Sequence, residues 1–465
     1  MARPYILFIL FTLSFTITTT FSSSPNPKTI TLPLSPVFTI SQDHLHTLKL
    51  TASASLTRAH HLKHRHTPPL NTSVSPKSYG GYSIDLNFGT PPQTSSFVLD
   101  TGSSLVWLPC SSRYLCSGCN FPNIGKIPTF IPRNSSSAKL LGCGNPKCGY
   151  LFGPDAQSRC RGCNPESQNC SNVTCPAYIV QYGLGSTSGF LLLENLDFPG
   201  EKTVTDFVVG CSILSIRQPS GIAGFGRGIE SLPTQLGLKK FSHCLLSHRF
   251  DDEPESSDLV LQIDSTGDTK TPNVSYTPFG KNPTGNNTAF LEYYYVGLKK
   301  ILIGGERVKI PLNLLVPESS GVGNGGTIVD SGTTFTFMER PIFDLVAKVF
   351  EKQLSNFSRA KEVEAQSGLG LCFDFSGTET VPIPELMFQF KGGARMMLPL
   401  SNYFSLVDDS EVACLTIISD ESSGTARAGG PAIILGNYQQ QNFYVEYDLE
   451  NDRFGFRQQN CQKSA

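Results

Sequence analysis

Two short segments carry the residue types needed for proton-transfer chemistry in matching order. Phe97-Val98-Leu99-Asp100-Thr101-Gly102-Ser103-Ser104 and Thr327-Ile328-Val329-Asp330-Ser331-Gly332-Thr333-Thr334 each place an aspartate after an apolar run and at the head of a glycine turn. Each is trailed by an apolar pair and a glycine, Ile222-Ala223-Gly224 and Ile434-Leu435-Gly436. A lone Asp-Thr-Gly is a common turn. Two copies with the same apolar flanks and the same trailing element read as an internal repeat, one aspartate per half. Two carboxylates held close together cannot both ionise, so one proton is shared between Asp100 and Asp330. The ionised member can take a proton from water while the protonated member donates to a carbonyl, giving a tetrahedral diol without an acyl-enzyme. The titration belongs to the pair, and an acidic optimum is expected.

The flanking positions have tasks of their own. Gly102 and Gly332 permit close approach of backbone and substrate, which a side chain would block. The hydroxyls of Thr101 and Ser331 can lock the two turns to each other, and those of Ser103 and Thr333 can hold the carboxylates.

These turns need rigid strands behind them. The chain has 465 residues, 16% of them charged, with 42 glycines and 32 prolines, and its apolar runs are short and rich in Val, Ile, Phe, Tyr and Thr. That combination predicts an all-β protein of two lobes, because one core stops growing below this length. Alternating patterns at Tyr82-Ser83-Ile84-Asp85-Leu86, Ala177-Tyr178-Ile179-Val180-Gln181-Tyr182 and Gly189-Phe190-Leu191-Leu192-Leu193 read as strands. Helical periodicity is sparse and is best at residues 341–350. The expected division is a signal segment at 1–22, a leader at 23–76, an N-terminal lobe at 77–265 with a Cys-rich insertion at 110–175, and a C-terminal lobe at 266–465.

The N-terminus has one basic residue, Arg3, followed by a short apolar core at residues 5–15, the form of a secretory signal. A membrane span needs about 20 apolar residues, so none is expected. Nine of the 14 cysteines lie between Cys110 and Cys175. In an oxidising compartment they read as disulfides, although Cys116-x-x-Cys119 and Cys160-x-x-Cys163 also have the spacing of zinc ligands. Asn-x-Ser/Thr triplets at Asn71, Asn134, Asn169, Asn172, Asn273, Asn286 and Asn356 are glycosylation candidates. Up to Pro76 there are six basic residues against the single acid Asp43, together with six of the eight histidines, four of them at His60, His61, His64 and His66. The remainder carries a net charge of −6, from 31 basic and 37 acidic residues. A basic leader on an acidic body suggests a propeptide that covers an acidic cleft; a solvated tail is the plainer alternative. The overall charge of −1 offers nothing to nucleic acid.

With these motifs the chain resembles the pepsin-type aspartic proteases, and more closely their nepenthesin-like plant branch, over about residues 79–461. The resemblance implies a bilobal fold of two pseudo-symmetric β-rich lobes with few short helices. It further implies a monomer hydrolysing peptide or protein substrates without cofactor or metal, secreted to the apoplast or cell wall, with the vacuole as the other destination. It places a flap at Tyr182 and Gly183, with Trp107 bonded to the flap tyrosine; Leu184 stands where many relatives carry Asp. The same resemblance implies bridges Cys110–Cys116, Cys119–Cys211, Cys143–Cys175, Cys244–Cys461 and Cys372–Cys414. It leaves the partners of Cys148, Cys160, Cys163 and Cys170 open.

Two other functions are consistent with such a chain. A catalytically silent inhibitor on the same fold would be expected to lose a catalytic turn, and both turns are whole here. A metal hydrolase would need histidine ligands. After the leader only His243 and His248 remain, beside Cys244, and they read as surface or core residues.

Overall fold

The computed structural model describes residues 28–37, 44–63, 80–119, 127–160, 162, 170, 173–183, 185–247, 256–284, 288–318, 323–378, 383–407, 411–420 and 429–462. The expected signal segment, His64, His66, Cys163, Leu184, His248, Asn71, Asn169, Asn172 and Asn286 lie outside the described residues. Asn134, Asn273 and Asn356 are exposed.

The chain begins with a strand β1 (Thr29–Val37) and a helix α1 (His44–Lys63), then enters the first lobe through β2 (Gly81–Phe88), β3 (Gln93–Asp100) and β4 (Trp107–Pro109). Most of the remaining elements are strands, as the composition predicts. Each lobe builds its aspartate in the same way. β3 runs parallel to strand Gly221–Gly224, with Leu99 opposite Ala223 and Asp100 opposite Gly224, and that strand is antiparallel to β4 at Ile222–Trp107. In the second lobe strand Thr327–Val329 runs parallel to Ile433–Leu435, with Val329 opposite Leu435, and Ile433–Leu435 is antiparallel to Thr336–Met338. The trailing glycines are where the chain crosses itself. A Cβ on Gly224 would lie 2.2 Å from the carbonyl carbon of Ser104, and one on Gly436 2.3 Å from the Thr334 carbonyl oxygen. Only glycine fits such a crossing.

The two lobes share one long sheet. Strands Ser275–Pro278, Arg453–Gln458, Phe443–Asp448, Lys240–Cys244 and Ser257–Gln262 lead in order to β1, β2 and β3. β1 therefore lies inside the layer, antiparallel to Ser257–Gln262 on one side (Ile30 opposite Leu261) and to β2 on the other (Val37 opposite Gly81). A continuous apolar core from both lobes lies against this layer, including Phe97, Leu99, Phe225, Phe241, Tyr294, Val329 and Tyr447.

The 20-residue α1 is the element that the sequence pattern did not announce. Leu48, Ala52, Ser55, Ala59 and Leu62 recur at the helical interval on its buried side. Leu48, Ala52, Ala59 and Leu62 pack on the second lobe's Phe290, Tyr293, Phe335, Phe337 and Leu369. Small residues and interspersed Ser, Thr and His keep its polar contrast low while allowing close approach.

The disulfides depart from the expected set in the Cys-rich region. Cys244–Cys461 and Cys372–Cys414 are present. Cys110, however, joins Cys211 and not Cys116, because β4 lies parallel to strand Lys202–Ile216 with Leu108 opposite Cys211. The Cys110 amide continues that register to the Ser212 carbonyl, and the two Cα atoms lie 5.0 Å apart, within bridging range. Cys119 therefore joins Cys116 and not Cys211. Cys143 joins Cys160, and Cys148 takes Cys175, correcting the expected Cys143–Cys175 bridge. The turn Pro146–Cys148 folds the chain back so that Cys148 meets Cys175, leaving Cys143 to the turn at Ala156–Arg159. Cys170 is also disulfide-bonded.

Candidate active site

Asp100 ends β3 and Asp330 follows strand Thr327–Val329, so both lobes deliver a carboxylate to their common boundary. The turns hold them in the same way. Asp100 Oδ2 accepts from Ser103 Oγ at 2.5 Å, and its Oδ1 accepts from the Gly102 amide at 3.0 Å. Asp330 Oδ2 accepts from Thr333 Oγ1 at 2.5 Å, and its Oδ1 accepts from the Gly332 amide at 2.9 Å. Across the boundary the Ser331 amide donates to Thr101 Oγ1 at 2.9 Å and the Thr101 amide to Ser331 Oγ at 3.1 Å. Each hydroxyl also donates into the other lobe, Ser331 to the Leu99 carbonyl (2.9 Å) and Thr101 to the Val329 carbonyl (3.4 Å). The eight motif residues named from sequence thus form one near-symmetric network, buried except for the half-buried Gly332.

The glycines permit this proximity. A Cβ on Gly332 would lie 2.4 Å from Asp100 Oδ1, and one on Gly102 would lie 2.6 Å from Asp330 Oδ1. Above the first aspartate, Tyr182 and Gly183 stand at the tip of the hairpin formed by Tyr178–Gln181 and Ser186–Phe198. The Trp107 indole nitrogen donates to the Tyr182 hydroxyl at 2.8 Å, with both side chains buried. Burial, with Asp100 nearby, holds the Tyr182 phenol far above its ordinary pKa and therefore neutral.

One further group meets the dyad, and the motifs gave no sign of it. Arg58, on α1, places Nη2 2.6 Å from Asp100 Oδ1 and 3.5 Å from Asp330 Oδ1, with Nε 3.2 Å from Asp330 Oδ2. Burial works against its charge, but Asp100 and Asp330 outweigh it and raise the guanidinium's pKa. Nη2 makes its shorter contact to Asp100. Even so, burial, reinforced by repulsion from Asp330, pushes the Asp100 carboxyl up against that attraction. Asp330 resists its own burial because Arg58, Thr333 and Gly332 together hold it down. The pair is thus electrostatically unequal while Arg58 is seated. The basic composition of the leader was the only sequence signal for this contact, and it did not single out Arg58.

A second overlooked group is Asn437, just after Ile434-Leu435-Gly436. Its side-chain amide donates to the Ser331 carbonyl at 2.9 Å and to the Gly80 carbonyl at 2.8 Å, tying the second turn to the start of the first lobe. His243 lies far from metal chemistry: it is buried in strand Lys240–Cys244 beside Tyr447. Among the described residues no cluster of His, Cys, Asp or Glu has the form of a metal site. No helix among them is long and apolar enough to cross a membrane.

Comparison with known proteins agrees with this geometry. Two family models match, xylanase inhibitor N-terminal over residues 82–261 and xylanase inhibitor C-terminal over residues 293–458. A "probable aspartyl protease" of Arabidopsis thaliana is 32% identical over 428 residues, 84% of each chain. The aspartic proteinase nepenthesin-2 of Nepenthes gracilis is 32% identical over 390 residues, 82% of this chain and 78% of that protein. Among solved structures, edgp superposes with a TM-score of 0.64 at 19% identity, covering 95% of this chain and 100% of that one. Soybean basic 7S globulin gives 0.59 at 17%, covering 93% and 97%. The chain belongs to the pepsin-type aspartic protease family, on its nepenthesin-like plant branch.

Proposed function

We propose that this protein is a secreted, monomeric aspartic endopeptidase active at acidic pH, made as a zymogen whose leader occupies the catalytic cleft. The carrying observation is the paired carboxylate network, complete to its last hydroxyl in both lobes. With the leader gone, a water takes the place of the Arg58 guanidinium between the two inner oxygens. The dyad in its single-proton state withdraws a proton from that water and donates one to the scissile carbonyl. Tyr182, neutral and fixed by Trp107, closes over the substrate and excludes bulk water.

The inhibition follows from the same contacts. Arg58 supplies a permanent cation where the water must sit, and α1 fills the groove that an extended peptide needs. Protonation of the dyad in acid removes the partner of that cation. Hydrolysis of a denatured protein after acid treatment, blocked by pepstatin and absent in Asp100→Ala and Asp330→Ala, is the test.

A second reading is favoured by the names of the matching family models: a protein on this fold that binds and inhibits a polysaccharide-degrading enzyme. It requires no dyad, and it predicts that the Asp100→Ala protein keeps its full activity as an inhibitor.

A further inference from the structure

At the C-terminal end of α1 a second leader cation is buried against the second lobe. The Lys63 ammonium meets the Glu339 carboxylate and stands 5.3 Å from the centroid of the Phe337 ring. The Lys63 side chain is 5% exposed and that of Glu339 20% exposed. Nearby, the Tyr293 hydroxyl donates to the Leu62 carbonyl at 3.1 Å, and a Cβ on Gly430 would lie 3.1 Å from the Lys63 Cα. Phe337 belongs to strand Thr336–Met338, which continues from the second catalytic turn, so the dyad and this pocket share one rigid support.

The Lys63 ammonium thus lies both on a carboxylate and over an aromatic face, while Gly430 and Tyr293 hold the leader backbone at Lys63 and Leu62. None of these recognising groups belongs to the leader. They stay with the second lobe when the leader leaves.

We propose that Glu339 and Phe337 form a substrate subsite for a basic side chain, which Lys63 fills in the zymogen. The subsite would select peptides carrying lysine or arginine a few residues from the scissile bond. An ammonium or guanidinium gains both the carboxylate and the ring face. A neutral or acidic side chain leaves Glu339 without its cation, and an acidic one adds repulsion. This specificity rests on the proposed peptidase activity, but the pocket's preference for cations does not.

The experiment uses acid-treated full chain and a set of peptides of about nine residues, in which each position in turn carries lysine, norleucine or glutamate. Cleavage is followed, and binding of the same labelled peptides to the Asp100→Ala protein is followed by anisotropy. At one position lysine should exceed norleucine about tenfold in kcat/KM, chiefly through KM, and the preference should fade with salt. Glu339→Gln should bring that ratio to about one. Glu339→Lys should transfer the preference to glutamate, an outcome that loss of folding would not produce. Equal lysine and norleucine rates at every position would overturn the subsite and leave the peptidase standing. A lysine preference in binding that Glu339→Gln abolishes, without cleavage by wild type, would keep the subsite and overturn the peptidase. Neither cleavage nor a lysine preference in binding would overturn both.

Discussion

A Cβ on Gly183 would lie 2.5 Å from the Cα of Arg58. The tip of the flap is therefore in backbone contact with the leader helix at the very residue that engages the dyad, and the absence of a side chain on Gly183 sets how deeply α1 can sit. The flap, the helix and the carboxylates form one stack. Gly183→Ala should push α1 away from the dyad and raise the pH at which the leader dissociates, measured by proteolytic accessibility of the leader across pH. An unchanged midpoint would mean that the flap yields and the stack is not rigid.

Arg58 is the cation on which both carboxylates depend. Arg58→Met leaves two buried acids facing each other, and losing one partner from such an arrangement costs about 3–5 kcal/mol. Asp330, held down by Arg58 in the docked state, contributes to docking above its ordinary carboxylate range and loses that contribution as pH falls through its depressed pKa. The variant lacks that attraction at all pH values, so its leader should release at higher pH than wild type. Native gels or size exclusion over a pH series would show it.

Asp100→Asn and Asp330→Asn preserve shape and remove the shared proton. Each should lower kcat by at least about 10³-fold while the protein remains folded, as read by circular dichroism and turnover of a denatured protein. Retained turnover in either would exclude the dyad.

The leader carries a second pH-dependent group. His60 packs edge-on to Phe337 at 6.5 Å between ring centroids. Burial pulls its pKa below the ordinary 6.5, against Asp420, which favours its charge, and together with Lys63, which opposes it. The docked helix thus binds fewer protons than the free one, so His60 supports docking above about pH 6.5 and works against it as pH falls. His60→Gln should make release less steep in pH by up to about one proton and shift its midpoint downward. An unaltered release curve would remove His60 from the switch.

His243 concerns the body of the protein. Its ring is buried, neither nitrogen has a hydrogen-bond partner among the described residues, and burial lowers its pKa to about 3. Below about pH 6.5 the unfolded chain takes up a proton that the folded protein refuses, costing about 1.4 kcal/mol per pH unit until the folded value is reached. His243→Phe should therefore show a larger gain in Tm at pH 4.5 than at pH 7.5. Equal shifts at both would mean that packing alone is responsible.

The paired-carboxylate network was legible because its chemistry is local: Asp, Gly and hydroxyl residues within four positions dictate a turn wherever it is placed. The β-rich lobes were legible for a similar reason, since alternation and glycine crossings leave a trace in short windows. Arg58 was not, because its partners are 42 and 272 residues away and nothing around it in α1 marks it. The helix was obscured because Thr47, Thr51 and Ser55 share its buried face with Leu48, Ala52, Ala59 and Leu62, which dilutes the hydropathy pattern. The Cys-rich bridges failed because pairing follows strand register: Cys110 found Cys211 through the neighbour of β4, which the order of cysteines along the chain cannot reveal.

β1 is bonded along both of its edges, through Thr29–Leu34 to strand Ser257–Gln262 and through Ser35–Val37 to β2. α1 is held by the buried cations Arg58 and Lys63 and by Leu48, Ala52, Ala59 and Leu62 packed on the second lobe. A single peptide-bond cut between residues 63 and 80 therefore separates α1 from β2 but leaves it joined to β1, which stays paired on both edges. The product of such a cut is expected to be a two-chain particle in which the fragment carrying β1 stays on as a noncovalent strand of the shared sheet.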